Sequence, residues 1–387
     1  MLKGTFFRVG PGATTPRKAL VVFQFTISVF LIIGTIIVYR QIRFAQQRPI
    51  GYNNSGLVML PLTSHLEAHF YSLRNAWKTE GLVTDAALAV NTPTDYNAED
   101  IRFKWKGKDP NFTPDIAIGN VTTEYGSTIG WQIKEGRDFS PSVSTDSSAF
   151  ILNESAVQLM GFQHPIGETI EWRGKPYHVI GVIRNILFES PYRSSSPSIF
   201  HISGGQANTA AIVLRVNPGI VMAAALDRIG TVYARYEPLL PFEYRFVDQE
   251  YEKKFGDELR IGRMAWMFTL FAVIISCLGL LGMASYITEQ RRREIGIRKV
   301  LGASVVTLWS LLSKEFLLLV FIALLIASPL AWYAMDKWLQ QYQYRTAIEW
   351  WVFLAAGAGA LGITFVTVSY QTVKASIRNP TASLRSE

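Results

Sequence analysis

His65 and His69 stand four apart in "HLEAHF", where apolar residues recur at three and four. That is the spacing at which two imidazoles on one helix face can share a zinc ion. A zinc hydrolase also needs the glutamate of H-E-x-x-H and a further ligand. Leu66 stands in the glutamate's place and no third ligand accompanies the pair, so the histidines read as a solvated helix face. His164, His178 and His201 are scattered among turns and strands, and no Ser-His-Asp site follows from such common residues. No G-x-x-x-x-G-K-[ST] occurs, which removes a P-loop nucleotide site. Cys277, the single cysteine, falls in an apolar run, so neither an intrachain disulfide nor a cysteine-based metal centre can form. Lys314 and Glu315 are adjacent at the edge of another apolar run, within reach of headgroups or water rather than paired inside a bilayer. The chain is therefore expected not to be an enzyme by itself, with no catalytic residue, cofactor or metal.

The informative stretch is "EQRRREIGIRKVLGAS", Glu289 to Ser304, a short link between two apolar runs. Ile297, Val300 and Leu301 fall at i, i+3 and i+4 on one helix face, and Glu294 and Arg298 form an i, i+4 pair on another. Gly302 can end such a helix in a left-handed turn and Ser304 can cap the next. An anchoring loop explains the arginines. It does not explain the apolar ridge, the paired glutamate or the glycine stop, whereas a helix docked in a partner's groove explains all three.

The elements around the link are set by composition. With 49% hydrophobic, 13% aromatic and 18% charged residues in 387, the chain is expected to be part membrane and part water-soluble. Its net charge of +8 clusters beside apolar runs rather than on a separate basic face, which argues against nucleic acid and for membrane lipids as the basic residues' neighbours. Four stretches meet the length needed to span a bilayer. They are Leu20 to Val38, Met264 to Tyr286, about Phe316 to Met335 and about Trp350 to Val373. The first is too long for a signal-peptide core and lacks a cleavage site after it. "AAGAGALG", Ala355 to Gly362, would let a neighbouring helix approach closely.

Arg291, Arg292, Arg293, Arg298 and Lys299 lie between the second and third spans, against Lys337 and Arg345 in the next loop. The positive-inside bias places the link and both termini in the cytoplasm, and the long segment after the first span outside. Arg40, Arg43 and Arg48 oppose this, but long translocated domains override such charges. The expected fold is a membrane protein of four transmembrane α-helices with an α+β extracytoplasmic domain inserted between spans 1 and 2.

Within the outer segment, strand-like runs include "GLVMLPL", "FKWKG", "PDIAIGNV", "TIEWRGKPYHVIGVI" and "AAIVLRV". Helical patterns occur in "HLEAHFYSLRNAWKTEG" and "ESAVQLMGF", and "SPSVSTDSS" reads as a loop. "RQIRFAQQ" extends the first span outward, and "DQEYEKKFGDELRIGR" is expected to run as a helix straight into the second span, the two forming stalks. The expected division is a cytoplasmic N-terminal segment at 1–19, spans at 20–39, 261–287, 304–335 and 350–373, and the outer domain with stalks at 40–260. The link occupies 288–303, an outer loop 336–349 and a cytoplasmic tail 374–387.

"RRREIGIRKVLGAS" resembles the signature of FtsX-like permeases, the membrane subunits of MacB-class ABC transporters. "KALVVFQFTISVFLIIGTIIVYRQ" is similar to their first span, and "FILNESAVQLMGFQHPIGETI" and "YHVIGVIRNILFES" to their MacB-type domain. "PFEYRFVDQEYEKKF" and the closing "QTVKASIRNPTASLRSE" are similar too. Asn185 and Leu187 depart from the pattern, where relatives commonly carry an Asp and an aromatic or His. The resemblance implies that Glu294, Ile295, Gly296, Ile297, Arg298, Lys299, Val300, Leu301 and Gly302 form a coupling helix docked on an ABC ATPase subunit. It further implies a bacterial plasma (inner) membrane location, a homo- or heterodimer with another FtsX-like permease, and a membrane-fusion protein as a further partner. The expected work is ATP-driven motion passed to the outer domain for export or extraction of a peptide, antibiotic, lipid or lipoprotein. The alternative is a signalling permease that controls a cell-wall hydrolase or sensor kinase by the same motion. Longer members carry the four-span unit twice, and this chain opens like the junction between their halves, so a separated or truncated second half is expected.

Overall fold

The computed structural model describes residues 15–95, 98–202, 211–290, 297 and 305–377. It divides into two compact units, Gln46–Gly256 and a helical unit formed by residues up to Ala45 with those from Asp257 onward.

In chain order the helices are α1 (Thr15–Gln46), α2 (Ser64–Ala68), α3 (Phe70–Thr79), α4 (Tyr125–Ile129), α5 (Glu154–Met160), α6 (Met222–Tyr236), α7 (Val247–Lys253), α8 (Gly256–Gln290), α9 (Val305–Leu339) and α10 (Trp351–Ile377). The strands are β1 (Leu57–Pro61), β2 (Val83–Ala89), β3 (Glu99–Asp100), β4 (Phe103–Trp105), β5 (Ile116–Val121), β6 (Ile133–Gly136), β7 (Ala149–Asn153), β8 (Thr169–Trp172), β9 (Lys175–Ile183), β10 (Ser198–Ile202), β11 (Ala211–Val216) and β12 (Arg245–Phe246).

All the strands belong to the Gln46–Gly256 unit and join in one 12-stranded sheet of order β12-β1-β11-β2-β5-β10-β7-β9-β8-β4, with β3 on β5 and β6 on β9. Pairs β5–β10 and β7–β9 are parallel, the rest antiparallel. Side chains alternate faces along a strand, so one strand can feed two cores. Leu57 and Met59 of β1 join one apolar cluster with Tyr125, Trp131 and Phe200, while Val58 and Leu60 join another with Phe70, Trp77 and Tyr233. A third cluster places Ala156 and Met160 of α5 on Phe103, Phe150 and Trp172. Burial on both faces is what makes a mixed sheet stable.

Several expectations change in detail. "TIEWRGKPYHVIGVI" is a hairpin rather than one strand: β8 and β9 are joined by Arg173 at φ 52° and Gly174 at φ 79°. Consecutive left-handed residues are the two-residue turn that matches strand twist. The histidine-bearing helix breaks at His69 into α2 and α3. The charged helix does not run straight into the second span, because α7 stops at Lys254 and a new helix starts at Gly256. α1, in contrast, runs unbroken for 32 residues to Gln46 and ends before Pro49, whose ring disfavours helix at the residue preceding it. The stretch expected as a loop carries a short 3-10 turn at Ser144–Ser148, held by buried Asp146.

The four long helices, α1, α8, α9 and α10, are each long and apolar enough to cross a membrane. In the apolar cluster shared by the four long helices, Ala323, Ala327 and Ala331 of α9 are fully buried, and Ala356 and Ala360 of α10 are buried. A Cβ on Gly357 would lie 3.0 Å from Leu324. Steps of four put these residues on one face, letting backbones approach.

Candidate functional site

Of the link residues singled out, Glu294, Ile295, Gly296, Arg298, Lys299, Val300, Leu301 and Gly302 lie outside the described residues; Ile297 is helical and 55% exposed. The link joins α8 to α9. At the same end of the helical unit, the Arg17 guanidinium lies 4.0 Å over the Tyr286 ring of α8, and Lys18 reaches Glu315 of α9 at 3.3 Å. Glu315 therefore pairs across helices with Lys18, while its neighbour Lys314 is exposed.

Further along, α1 and α8 are joined by a polar seam. The hydroxyls of Ser28 and Ser276 lie 2.9 Å apart, and those of Thr35 and Thr269 2.8 Å apart. Thr269 also donates to the Leu31 carbonyl at 3.1 Å. Gly279 faces the Gln24 amide so closely that a Cβ would lie 2.3 Å from its oxygen. Each such bond contributes about 0.6 kcal/mol in a membrane helix pair, and a run of them fixes one register between the helices.

In the Gln46–Gly256 unit, a residue two past the end of α1 and a residue two before the start of α8 grip one loop, "FESPYR", Phe188 to Arg193. Arg48 donates to the carbonyls of Pro191 at 3.0 Å and Arg193 at 2.5 Å. The Lys254 ammonium donates to the carbonyls of Phe188, Thr94 and, at 2.9 Å, Glu189. Burial pushes the Lys254 pKa down, against the pull of the neighbouring carboxylates. The Phe255 ring meets Tyr192 edge-on at 5.9 Å. Both chain entries into the outer unit are thus anchored at one place. Beside it a cleft of about 950 Å³ is lined by Met59, Asp95, Phe242, Tyr244, Glu250 and Lys254 among others.

The residues that depart from the expected pattern make their own contacts. Asn185 accepts from the Ser155 N–H at 2.9 Å and donates its N–H to Glu154 at 3.3 Å, satisfying the first turn of α5. Leu187 is buried, and its N–H bonds Ile50 at 3.1 Å. Gly51 is needed opposite: at φ 86°, a Cβ there would lie 2.1 Å from the Asn185 carbonyl.

The histidines are occupied locally. His69 Nδ1 lies 2.9 Å from the His65 carbonyl and the two rings pack at 4.5 Å. His178 bonds Thr169, and His201 Nδ1 faces the Ile202 carbonyl within an aromatic group of Phe150, Trp172 and Tyr177. Among the described residues no group of three or more His, Cys, Asp or Glu side chains could hold a metal ion.

Sequence reasoning missed the loop grip and the seam. Lys254 looks like any lysine of a charged helix, and its partners are backbone atoms distant in sequence. The serines and threonines of α1 and α8 gave a signal only as polar residues inside apolar runs.

Two family models match the chain: the MacB-like periplasmic core domain over residues 19–232, more than half of its length, and the FtsX-like permease C-terminal region over 266–380. Neither is a nucleotide-binding domain. Relatives include the macrolide export ATP-binding/permease protein MacB of Sodalis glossinidius (strain morsitans), 24% identical over 213 residues, 52% of this chain and 32% of that protein. The protein of the same name from Hahella chejuensis is 22% identical over 228 residues, 55% of this chain and 33% of that one. The chain thus covers about a third of the curated relatives it matches. Among solved structures, the periplasmic region of MacB from Actinobacillus actinomycetemcomitans aligns at TM-score 0.39 and 14% identity, over 54% of this chain and 96% of that one. The extracellular domain of the noncanonic ABC-type transporter YknZ from Gram-positive bacteria aligns at TM-score 0.35 and 14% identity, over 49% and 96%.

Proposed function

This chain belongs to the FtsX-like permeases with a MacB-like periplasmic core domain, and from that premise we propose that it is the transmembrane subunit of an ABC transporter that carries motion, not substrate, through its helices. A separate ATPase subunit binds the link between α8 and α9. Its closure moves the helices, and α1 and α8 carry that motion to the outer domain, which exports or extracts a peptide, antibiotic, lipid or lipoprotein. Two copies, or one copy and a related permease, would carry one ATPase each. A membrane-fusion protein would continue the path outward. The link and both termini are assigned to the cytoplasm by their Lys and Arg bias.

The observation that carries this reading is the FtsX-like match over 266–380, which includes the link, together with the ridge of Ile297, Val300 and Leu301 within it. The root at Phe188 to Arg193 supports it as well, since both α1 and α8 lead to residues that grip that loop. The test is association with the ABC ATPase in detergent. An Ile297→Asp variant puts a charge into an apolar contact and should lose binding by about tenfold or more, with insertion unchanged. Changing Arg291 and Arg292 to Gln should weaken binding less. The reverse ranking would remove the ridge from the contact.

A further inference from the structure

The segment between α9 and α10 meets the last two turns of α1 in an arrangement that the seam with α8 does not require. Gln41 is completely buried. Its Nε2 donates to the Tyr344 carbonyl at 2.8 Å, and its Oε1 accepts from the Thr346 N–H at 2.8 Å. One side-chain amide thus reads both polarities of the loop backbone, as a neighbouring strand would. Phe44, one turn on, stacks on Tyr344 with ring centroids 4.5 Å apart and planes 12° apart. Arg40 reaches Glu349 at 2.5 Å and lies 5.0 Å over the Trp351 ring, whose Nε1 also bonds Glu349. A different face of the same two turns holds α8, where Gly262 lies against Val38 and Ile42.

We propose that residues 340–350 are a clasp by which the α9–α10 hairpin drives the outer end of α1, with Gln41 as the positioning residue. The inference rests on the motion-transfer reading above. The link is continuous with α8 on one side and α9 on the other, so displacement there enters both helices. α8 is joined to Lys254 by the short turn before Gly256. α9 ends at the clasp, which returns its displacement to α1 and so to Arg48. The two grips on Phe188 to Arg193 are then pulled together rather than by α8 alone.

The test uses the full chain in nanodiscs with the ABC ATPase that binds it. Gln41→Leu removes the partner of a half-buried carbonyl and N–H, and amide exchange of 342–348 should rise by about tenfold. Tyr344→Ala loosens the same clasp without altering α1, and covers the case in which Gln41→Leu fails to assemble. Both variants should still bind the ATPase and hydrolyse ATP, while the nucleotide-dependent change in exchange at 188–193 falls by more than half. A disulfide between Phe44→Cys and Tyr344→Cys, in a Cys277→Ser background, should restore that change in the Gln41→Leu chain. Unchanged exchange of 342–348 in both variants would show that no clasp holds the loop. A loosened loop with an undiminished response at 188–193 would show that the clasp carries no motion. No response at 188–193 in the unaltered chain would overturn the motion-transfer reading itself, and the inference with it.

Discussion

The two units of this molecule differ in how many of their large apolar side chains they leave uncovered. The Gln46–Gly256 unit hides its large ones: Trp77, Phe70, Tyr125, Phe150 and Phe200 are essentially inaccessible, on both faces of the sheet. The helical unit buries Ile33, Ile37 and Phe316 between its helices together with Ala323, Ala327, Ala331 and Ala356, but leaves Phe268, Leu278, Leu354 and Val366 more than 60% exposed. In water, burying a large apolar side chain contributes about 1.5–3 kcal/mol. In lipid that drive between helices is absent, and close backbone approach with hydrogen bonds takes its place. One unit is thus complete within a single chain, and the other is completed by its surroundings. Helices whose outer faces can meet lipid or another subunit are what the proposed transfer of motion requires.

The comparison breaks most readily at the large core residues. In the Gln46–Gly256 unit produced alone, Trp77→Ala should cost about 3–5 kcal/mol, measured by denaturant unfolding. Next comes the stalk root. Lys254→Met leaves the Thr94, Phe188 and Glu189 carbonyls without their donor, and should cost about 2–3 kcal/mol. A fragment ending at Glu252 should be weaker than one ending at Gly256 by a similar amount, since it lacks both Lys254 and Phe255. In the helical unit, Ala327→Leu should cost about 1–3 kcal/mol by overpacking, whereas Leu354→Ala should change stability in detergent by no more than about 0.5 kcal/mol. Equal effects at Trp77 and Leu354 would erase the distinction between the units.

Acid should act on the outer unit in two stages. Burial lowers the His201 pKa, so the folded state favours the neutral ring, and that contribution is present above the unfolded value of about 6.5 and lost as pH falls below it. The Arg102 guanidinium holds the buried Asp100 carboxyl well below the usual range, and Arg137 lowers Asp146 in the same way. Their contributions are present above the unfolded value of about 4 and are lost as pH falls further, through the folded values. His201→Phe should remove the first decline in Tm and Asp100→Asn should reduce the second.

Much of this was legible in the sequence, for identifiable reasons. The apolar lengths announced the four long helices, and short apolar runs bounded by turn residues announced β1, β5 and β11, because membrane thickness and burial on both sheet faces set those lengths. β2 was hidden by Asp85 within "VTDAALA", a charge accommodated by Arg74 at 2.7 Å from the α3 helix. α6 was hidden because "MAAALDRIGTVYARY" has no side-chain cap to mark its start. The break between α7 and α8 was illegible because Lys254 and Phe255 are ordinary helix residues whose role comes from a loop more than sixty positions away. The clasp at Gln41 was hidden similarly, since its partners are backbone atoms of a loop about three hundred residues on.

Motion has to cross along the helices only if the outer unit and the link between α8 and α9 lie on opposite sides of the membrane. Single cysteines at Ser144 and at Gln290, both exposed positions, in a Cys277→Ser background, test this in intact cells with a membrane-impermeant thiol reagent. The predicted result is labelling at Ser144 and none at Gln290 until the membrane is opened. Labelling of Gln290 from outside, with Ser144 protected, would reverse the orientation and contradict the account.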